Sequence, residues 1–236
     1  MADSHPDRAG VFLRRIHTFV RREGRCTAAQ ARALETLLPS LQWPAQRSDP
    51  VAVFGRDAPL TLEIGFGAGD NLLAQCQAQP ELNFFGLEVH RPGVGQLLHR
   101  AHEVGIRNLR VSTDDALEVL DERLPAASVD CLQIWFPDPW HKTRHHKRRI
   151  IQPQHLDRFA RVLRPGAELR MATDWEEYAE WMRTHCEAHP AFRNVHGPGA
   201  FAPRCSERIR TRFEQRGERL GHVVRDLVYR REPRPR

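Results

Sequence analysis

The sequence lacks the features that would place it in a membrane or in an oxidising compartment. No run approaches the roughly 18 consecutive apolar residues of a transmembrane helix, and the opening MADSHPDRAG has no apolar core of a signal peptide. The five cysteines are odd in number, scattered and never spaced CxxC, which disfavours a disulfide framework or a zinc site. We therefore expect a soluble cytoplasmic protein without a metal centre. A monomer is expected, with a homodimer as the alternative.

Lysine is also scarce, because Lys142 and Lys147 are the only two lysines among 36 basic residues. The net charge of +6 is unevenly distributed. Residues 1–50 carry a net +3, residues 136–150 a net +4 and residues 204–236 a net +6, so the remainder of the chain sums to −7. Three basic segments around an acidic body favour a polyanionic partner that contacts both ends and the middle of the chain.

Short apolar runs alternate with helical patterns from residue 60 onward. Strands are predicted at LTLEI, NFFGLEV, NLRVST, VDCLQIWF and AELRMAT. Strands that alternate with helices at this spacing predict an open, doubly wound, mostly parallel α/β sheet. The alternating segment HVVRDLVYRR near the end predicts an additional antiparallel strand.

The N-terminal part is predicted to differ from this sheet. Residues 1–26 are polar and arginine-rich, which predicts a flexible basic arm. TAAQARALETLL predicts a short helix, because Thr27 and Gln30 fit a capping box and a proline follows. The proline-containing interval 39–58 is predicted to be a linker. The predicted division is an arm with a short helix at residues 1–50 and the sheet domain at residues 51–236.

The loop after the first predicted strand, EIGFGAGDN, points to a nucleoside ligand without phosphates. Ligands of open α/β sheets bind outside the carboxyl ends of the strands. Gly65 and Gly67 begin a G-x-G pattern, but Asp70 stands where a dinucleotide fingerprint needs its third glycine. Because an acid near a helix N-terminus repels a pyrophosphate, a cationic ligand such as S-adenosylmethionine fits better.

Acidic residues accompany the first three predicted strands. Glu63 lies among apolar neighbours, either in an internal salt bridge or near the methionine end of the ligand. Glu88 lies at the end of the second strand, where it either holds a ribose diol or caps the next helix. Asp115 follows the third, where it either caps a helix or accepts from an adenine amino group. We expect these acids to share one crevice.

The stretch IWFPDPWHKTRHHKRR, residues 134–149, has the most unusual composition. Prolines on both sides of Asp138 restrict its backbone. Trp140 either offers a face on which a base stacks or belongs to the core. The basic strip that follows suits phosphates, and arginines without base readout suit an RNA that is recognised by its shape and backbone.

These motifs together resemble the TrmB-type tRNA (guanine-N7)-methyltransferases. The quoted loop and basic stretch, GLEVHRPGV, LRPGAELRMATDWEEYAEWM and RTRFEQRGERLGHVVRDL occur in the family's order across most of the chain. The resemblance implies a Rossmann-like fold, S-adenosylmethionine as cofactor, tRNA as partner and methyl transfer to N7 of a guanine in the variable loop.

The resemblance also implies roles for individual residues. Asp138 is the expected catalytic residue. Cofactor contacts are expected at Glu63, Gly65, Gly67, Glu88, Asp115 and Asp138. Substrate contacts are expected at Lys142, Arg144, Lys147, Arg148, Asp174, Thr211, Arg212, Phe213 and Glu214. Two of these have a structural alternative, since Asp174 suits a helix cap and Glu214 suits an ion pair with Arg210 or Arg216.

Asp138 suits the chemistry because N7 of guanine has a free lone pair and no proton to lose. The site then needs to position the base and to stabilise positive charge, and a carboxylate does both. Asp138 could instead contact the ammonium group of the cofactor. Two other functions stay open: an exocyclic-amine nucleic-acid methyltransferase, whose motif places two prolines after its Asn or Asp, and an RNA-binding protein with a vestigial cofactor pocket.

Overall fold

The computed structural model of the protein describes residues 16–19, 24–210, 214, 217 and 221–233. Within these ranges a seven-stranded sheet forms the centre of the molecule. The strands are β1 (Leu60–Ile64), β2 (Asn83–Leu87), β3 (Leu109–Ser112), β4 (Val129–Trp135), β5 (Leu163–Thr173), β6 (Phe192–Asn194) and β7 (Arg225–Arg231). The helices are α1 (Ala28–Thr36), α2 (Leu38–Leu41), α3 (Pro50–Phe54), α4 (Asp70–Ala78), α5 (Arg91–Glu103), α6 (Ala116–Arg123), α7 (Pro153–Val162) and α8 (Glu176–Ala188), with a 3₁₀ helix at Thr143–Arg148.

The strand order is β3-β2-β1-β4-β5-β7-β6. Strands β1 to β5 pair in parallel, whereas β7 pairs antiparallel with both β5 and β6. The predicted mostly parallel sheet with a C-terminal antiparallel strand is therefore confirmed. The chain runs outward from β1 on one side and from β4 on the other, so the switch point of the topology, where ligands of such sheets bind, lies between these two strands.

Two hydrophobic clusters cover the two faces of the sheet. Alternate residues of a strand point to opposite faces, and on β2 Phe85 and Leu87 join one cluster while Phe84 joins the other. The first cluster includes side chains of α6, α7 and α8, and the second includes side chains of α1, α4 and α5. Helices therefore pack on both sides, which makes the sheet doubly wound and leaves its carboxyl edge for a site.

The prediction of a linker at residues 39–58 is wrong, because this interval packs against the sheet. Helices α2 and α3 lie within it, and Trp43 between them is fully buried. The Trp43 ring stacks on Phe85 with 4.4 Å between ring centroids, and its backbone N–H donates to the carbonyl of Val111 at 2.9 Å. The apolar area of Trp43 outweighs the turn preference of the neighbouring prolines.

Helix α1 forms with the predicted capping box. The Thr27 hydroxyl accepts from the Gln30 backbone N–H at 3.2 Å, and the Gln30 side chain accepts from the Thr27 N–H at 2.8 Å. The helix packs on α5 at Gly95, where a Cβ would lie 2.6 Å from the Gln30 carbonyl oxygen. Glycine is therefore needed at position 95 for this close approach of the two helices. The predicted division of the chain at residue 50 stays a prediction.

Candidate functional site

Two adjoining cavities open at the carboxyl ends of β1 and β4. We call the first, of about 250 Å³, the apolar cavity: its lining includes Ile64, Leu87, Glu88, Asp114, Ala116, Ile134, Asp138 and Ile150. We call the second, of about 780 Å³, the glycine-loop cavity: its lining includes Glu63, Gly67, Asn71 and Arg208. Gly65, Trp135 and Phe136 line both. A long ligand could therefore cross from one to the other at the switch point of the sheet.

The loop between β1 and α4 needs glycine at three positions. Gly65, Gly67 and Gly69 have φ values of 79°, 59° and 77°, which side chains rarely adopt. At Gly69 a Cβ would also lie 2.8 Å from the Leu97 side chain, whereas the positions at Gly65 and Gly67 face open space. The backbone next to the cavities is thus free of side chains at the two predicted cofactor glycines. Asp70, at the start of α4, forms an ion pair with Arg100.

Glu63 is a buried carboxylate on β1, with 2% of its surface exposed. Asn71 of α4 donates to its Oε2 at 3.0 Å, and within the described ranges no cationic side chain pairs with it. Desolvation therefore dominates and raises the pKa of Glu63 from 4.5 to about 7, with a smaller contribution from the charge of Glu88. The alternative of an internal salt bridge is not what the structure shows, and the carboxylate remains able to bind a cationic ligand.

Glu88 connects the loops that follow β1 and β2. Its Oε2 accepts from the backbone N–H of Gly67 and its Oε1 from that of His90, both at 2.8 Å. Each carboxylate oxygen has a second lone pair, so Glu88 can still accept from a diol in the apolar cavity. The structure thus joins Glu88 to the glycine loop that follows Glu63, and the cofactor contacts of both glutamates stay predictions.

Asp115 caps helix α6 and lies beside the cavity rather than on its wall. Its Oδ1 accepts from the Leu117 N–H at 3.0 Å, and its Oδ2 lies 3.3 Å from His17 Nδ1. The neighbouring Asp114 lines the apolar cavity and forms an ion pair with Arg123 at 2.8 Å. Asp114 is not predicted from the sequence, because two adjacent acids after a strand offer no local signal for which of them faces the cavity. The contact of Asp115 with the cofactor stays a prediction.

Asp138 is exposed and lines the apolar cavity from the loop that follows β4. The residues on either side of the Pro-Asp-Pro sequence, Phe136 and Trp140, both have φ near +49°. Such backbone is strained for residues with a Cβ, and it clusters at functional sites. Trp140 lies under the guanidinium of Arg148, which is 4.0 Å from the ring centroid.

The basic strip is divided between surface and interior. Lys142, Arg144 and Lys147 are exposed, as a phosphate contact requires. Arg148 is half-buried and donates to the carbonyl of His17 at 3.0 Å and to that of Phe19. The predicted RNA contact of Arg148 therefore competes with a bond to the N-terminal segment. The next residue, Arg149, is fully buried.

Asp174 and Glu214 lie in different surroundings. Asp174 follows β5, and its Oδ2 lies 3.1 Å from His222 Nδ1 at the edge of a further cavity of about 470 Å³. Glu214 is fully buried and pairs with Arg208 at 2.7 Å and Arg204 at 3.2 Å. Their roles in substrate binding stay predictions. The predicted contacts at Thr211, Arg212 and Phe213 lie outside the described residues.

Besides Asp114, two side chains of this site are not predicted from the sequence. Asn71 holds Glu63, and its Oδ1 accepts from the Ile209 N–H at 3.2 Å. Arg208 lines the glycine-loop cavity and stacks over the rings of Trp135 and Phe136, at 5.5 and 5.1 Å from the centroids. Both contacts join distant parts of the chain, so no local pattern reveals them.

Neither a metal site nor a membrane span is found in the part of the chain that the structure describes. No group of three or more histidine, cysteine or acidic side chains there could hold a metal ion. The described helices include none that is long and apolar enough to cross a bilayer.

Two solved methyltransferases share the fold of this chain. A 16S rRNA methyltransferase superposes with a TM-score of 0.55 at 15% identity, over 82% of this chain and 99% of the other. The 16S rRNA (adenine(1408)-N(1))-methyltransferase of Catenulisporales acidiphilia, solved with its cosubstrate SAM, gives a TM-score of 0.52 at 16% identity, over 83% of this chain and 97% of the other. At such low identity these similarities concern the fold, and they agree with the predicted Rossmann-like architecture.

Sequence comparison gives the family. The family model described as "Putative methyltransferase" matches residues 57–227. The tRNA (guanine-N(7)-)-methyltransferase of Aeromonas hydrophila is 50% identical over 224 residues, which cover 94% of each chain. The enzymes of that name from Halorhodospira halophila and Alcanivorax borkumensis are 51% and 49% identical, over 93% and 96% of this chain and 96% and 95% of their own. The predicted family is therefore confirmed, and the chain belongs to the tRNA (guanine-N(7)-)-methyltransferases, a family of S-adenosylmethionine-dependent enzymes.

Proposed function

We propose that this chain transfers a methyl group from S-adenosylmethionine to N7 of a guanine in the variable loop of tRNA. One observation supports it most: Glu63, Glu88 and Asp138 surround two joined cavities at the carboxyl edge of the sheet, and an exposed basic strip follows Asp138 directly. The same proposal includes a cytoplasmic location and a monomeric protein.

The residues of the two cavities fit S-adenosylmethionine. Glu63 is buried without a cationic partner in the described part of the chain, so an ammonium group would stabilise its ionised form. Glu88 offers lone pairs for ribose hydroxyls, and the apolar side chains Ile64, Leu87 and Ile134 suit a flat adenine ring. The residues that would hold this cofactor are Glu63, Gly65, Gly67, Glu88, Asp115 and Asp138.

When bound, S-adenosylmethionine supplies a methyl group on a positively charged sulfur. The chain's own contribution is positional, because the N7 lone pair needs no base to free it. Asp138 accepts hydrogen bonds from N1–H and the 2-amino group of guanine, which orients N7. Its negative charge also stabilises the positive charge that develops on the methylated ring.

The exposed side chains of Lys142, Arg144 and Lys147 would bind tRNA phosphates beside Asp138. Three basic side chains within six residues place their charges close together on the surface. Such contacts carry no sequence information, so they orient the tRNA while the base itself is selected at Asp138. Asp174 and the segment from Thr211 to Glu214 are proposed to contribute further substrate contacts.

The first experiment replaces Asp138 with Asn. Asn keeps the size of the side chain but removes its charge and half of its acceptors, so we expect a fall in kcat on the order of 10²-fold. Methylation of purified tRNA is measured by transfer of labelled methyl groups, with the methylated nucleotide mapped by mass spectrometry. Asp157→Asn, at an exposed site on α7, is the matched control. Near-normal turnover of Asp138→Asn would refute the assigned role.

Product analysis separates the proposal from its rivals. N7-methylguanosine is cationic and alkali-labile, whereas N6-methyladenosine, the product of an exocyclic-amine enzyme, is neither. A chain with a vestigial pocket would bind tRNA but give no heat of S-adenosylmethionine binding in calorimetry. A methylated guanine outside the variable loop would contradict the finer part of the proposal while leaving the reaction intact.

A further inference from the structure

The loop that carries Asp138 is held in a strained conformation. Phe136 and Trp140, at its two ends, both lie in the left-handed region with φ near +49°. For residues other than glycine this backbone persists only when surrounding contacts enforce it. Contacts with other parts of the protein must therefore hold the loop at each end.

The sheet holds the first end of the loop. The Phe136 N–H donates to the carbonyl of Ala172 on β5 at 2.8 Å, which continues the pairing of β4 with β5 by one residue. The side chain of Arg149 holds the second end. Arg149 Nε donates to the carbonyl of Pro139, the residue after Asp138, at 2.8 Å.

Arg149 is itself fixed by its surroundings on α8. It is fully buried, and its Nη2 donates to Glu177 Oε1 at 2.9 Å and lies 3.0 Å from His146 Nε2. Its guanidinium lies 4.9 Å from the ring centroid of Tyr178 and 4.7 Å from that of Trp181. A buried cation with so many directed contacts has little freedom to move, so the Pro139 carbonyl has little freedom either.

We propose that Arg149 is a positioning residue for Asp138, which holds the strained loop against α8. This inference rests on the proposed function of Asp138. It also separates Arg149 from the basic strip, because a fully buried guanidinium is not available to a phosphate. The neighbouring Arg144 and Lys147 are exposed and keep that role.

The experiment compares Arg149→Met and Arg149→Lys with Arg231→Met. Arg231 is also buried and also donates to a backbone carbonyl, that of Ala160 at 3.2 Å. It is the last residue of β7, which runs antiparallel to β5, so it lies toward the amino edge of the parallel strands, opposite to the site. The two methionine variants thus lose the same kind of group at different distances from Asp138.

We expect Arg149→Met to lower the single-turnover rate of methyl transfer on the order of 10²-fold, because misplacing a reacting group by about 1 Å has such effects. The Kd for tRNA and its salt dependence should stay within about twofold of the native protein, because Arg149 contacts no phosphate in this account. Arg149→Lys keeps the charge and a donor, so it should retain part of the native rate. It provides the test if Arg149→Met fails to fold. Arg231→Met should keep the native rate below its melting temperature.

Hydrogen exchange gives a second measurement that needs neither cofactor nor tRNA. The backbone amides of Phe136, Asp138 and residues 140–142 should exchange faster in the Arg149 variants and not in Arg231→Met. Unchanged exchange in this loop, or a native single-turnover rate, would overturn the inference. A loss of tRNA affinity with a reduced salt dependence would overturn it too, because that result assigns Arg149 to a phosphate. An active Asp138→Asn variant, by contrast, would remove the proposed role of Asp138 and leave the loop measurements standing.

Discussion

Replacing Glu63 with Gln should stabilise the protein at neutral pH while weakening its cofactor site. Glu63 is buried, and its pKa is raised from 4.5 to about 7 by desolvation. Gln has nearly the same shape and can still accept the hydrogen bond from Asn71. The substitution therefore removes the ionisation of this side chain and little else.

The sign of the stability change follows from which state of the chain, folded or unfolded, keeps Glu63 protonated. Between pH 4.5 and about 7 the unfolded chain ionises Glu63 while the folded chain keeps it protonated. The free energy of unfolding then falls as the pH rises, by about 1.4 kcal/mol for each pH unit, or about 3 kcal/mol in total. Below and above this interval the two states bind the same number of protons at this site, and the slope vanishes.

The Glu63→Gln variant lacks this decline of the free energy of unfolding with rising pH. Its stability relative to the native protein should grow by about 3 kcal/mol between pH 4.5 and pH 8, which corresponds to roughly 6–12 °C in Tm for a chain of this size. Urea unfolding without ligand at pH 4.5, 6, 7 and 8 gives the two curves, and Glu35→Gln shows what the same substitution does at an exposed position. Parallel curves for the native protein and Glu63→Gln would refute the account of this carboxylate.

The same carboxylate should make cofactor binding depend on pH. An ammonium group binds the ionised form, so the affinity of the native protein for S-adenosylmethionine should rise as the pH increases through about 7. Calorimetry between pH 5.5 and 7.5 should show this rise and a proton released on binding, and Glu63→Gln should show neither. Equal pH dependence in both proteins would place the ammonium elsewhere.

Three further predictions concern the substrate and the frame of the site. Lys142→Ala and Arg144→Ala should each weaken tRNA binding and lower the slope of log K against log salt by about 1, measured by filter binding. Gly86→Ala should cost about 1–3 kcal/mol in urea unfolding, because its Cβ would lie 2.6 Å from the Leu72 side chain. Arg208→Met should cost about 3–5 kcal/mol, because the buried carboxylates of Glu214 and Asp226 each lose one ion pair; a loss below 1 kcal/mol would contradict this.

The fold was predictable where the signal is local and repeated. The strand predicted at LTLEI is β1 without change, and the alternation of strands and helices gave the doubly wound sheet. The three-residue strand β6 was missed, because Phe192 to Asn194 form a strand only through pairing with β7. Trp43 was assigned to a linker on the strength of nearby prolines, although a large aromatic side chain is itself a signal of burial.

The candidate site was predictable where a general rule of the architecture applies. Glu63 and Glu88 stand at the carboxyl edge because parallel strands end there together. The rule fixes the edge but not the direction of each side chain, and for that reason it did not distinguish Asp114 from Asp115. It also says nothing of partners far along the chain, such as Arg208 with Glu214.

The basic strip shows why composition alone misleads at such a site. In a 3₁₀ helix, residues three apart lie on the same side, and the strip is divided accordingly into three columns. His145 and Arg148 pack on Trp140, and His146 and Arg149 pack on Trp181. The third column, Arg144 and Lys147, remains exposed. Two adjacent arginines thus have different surroundings, and the charge that can reach an RNA is smaller than the count of basic residues. In an α-helix, with 3.6 residues per turn, residues three apart are rotated from each other by about 60°, so the three-residue repeat of the 3₁₀ helix keeps each column aligned and determines which cations stay exposed.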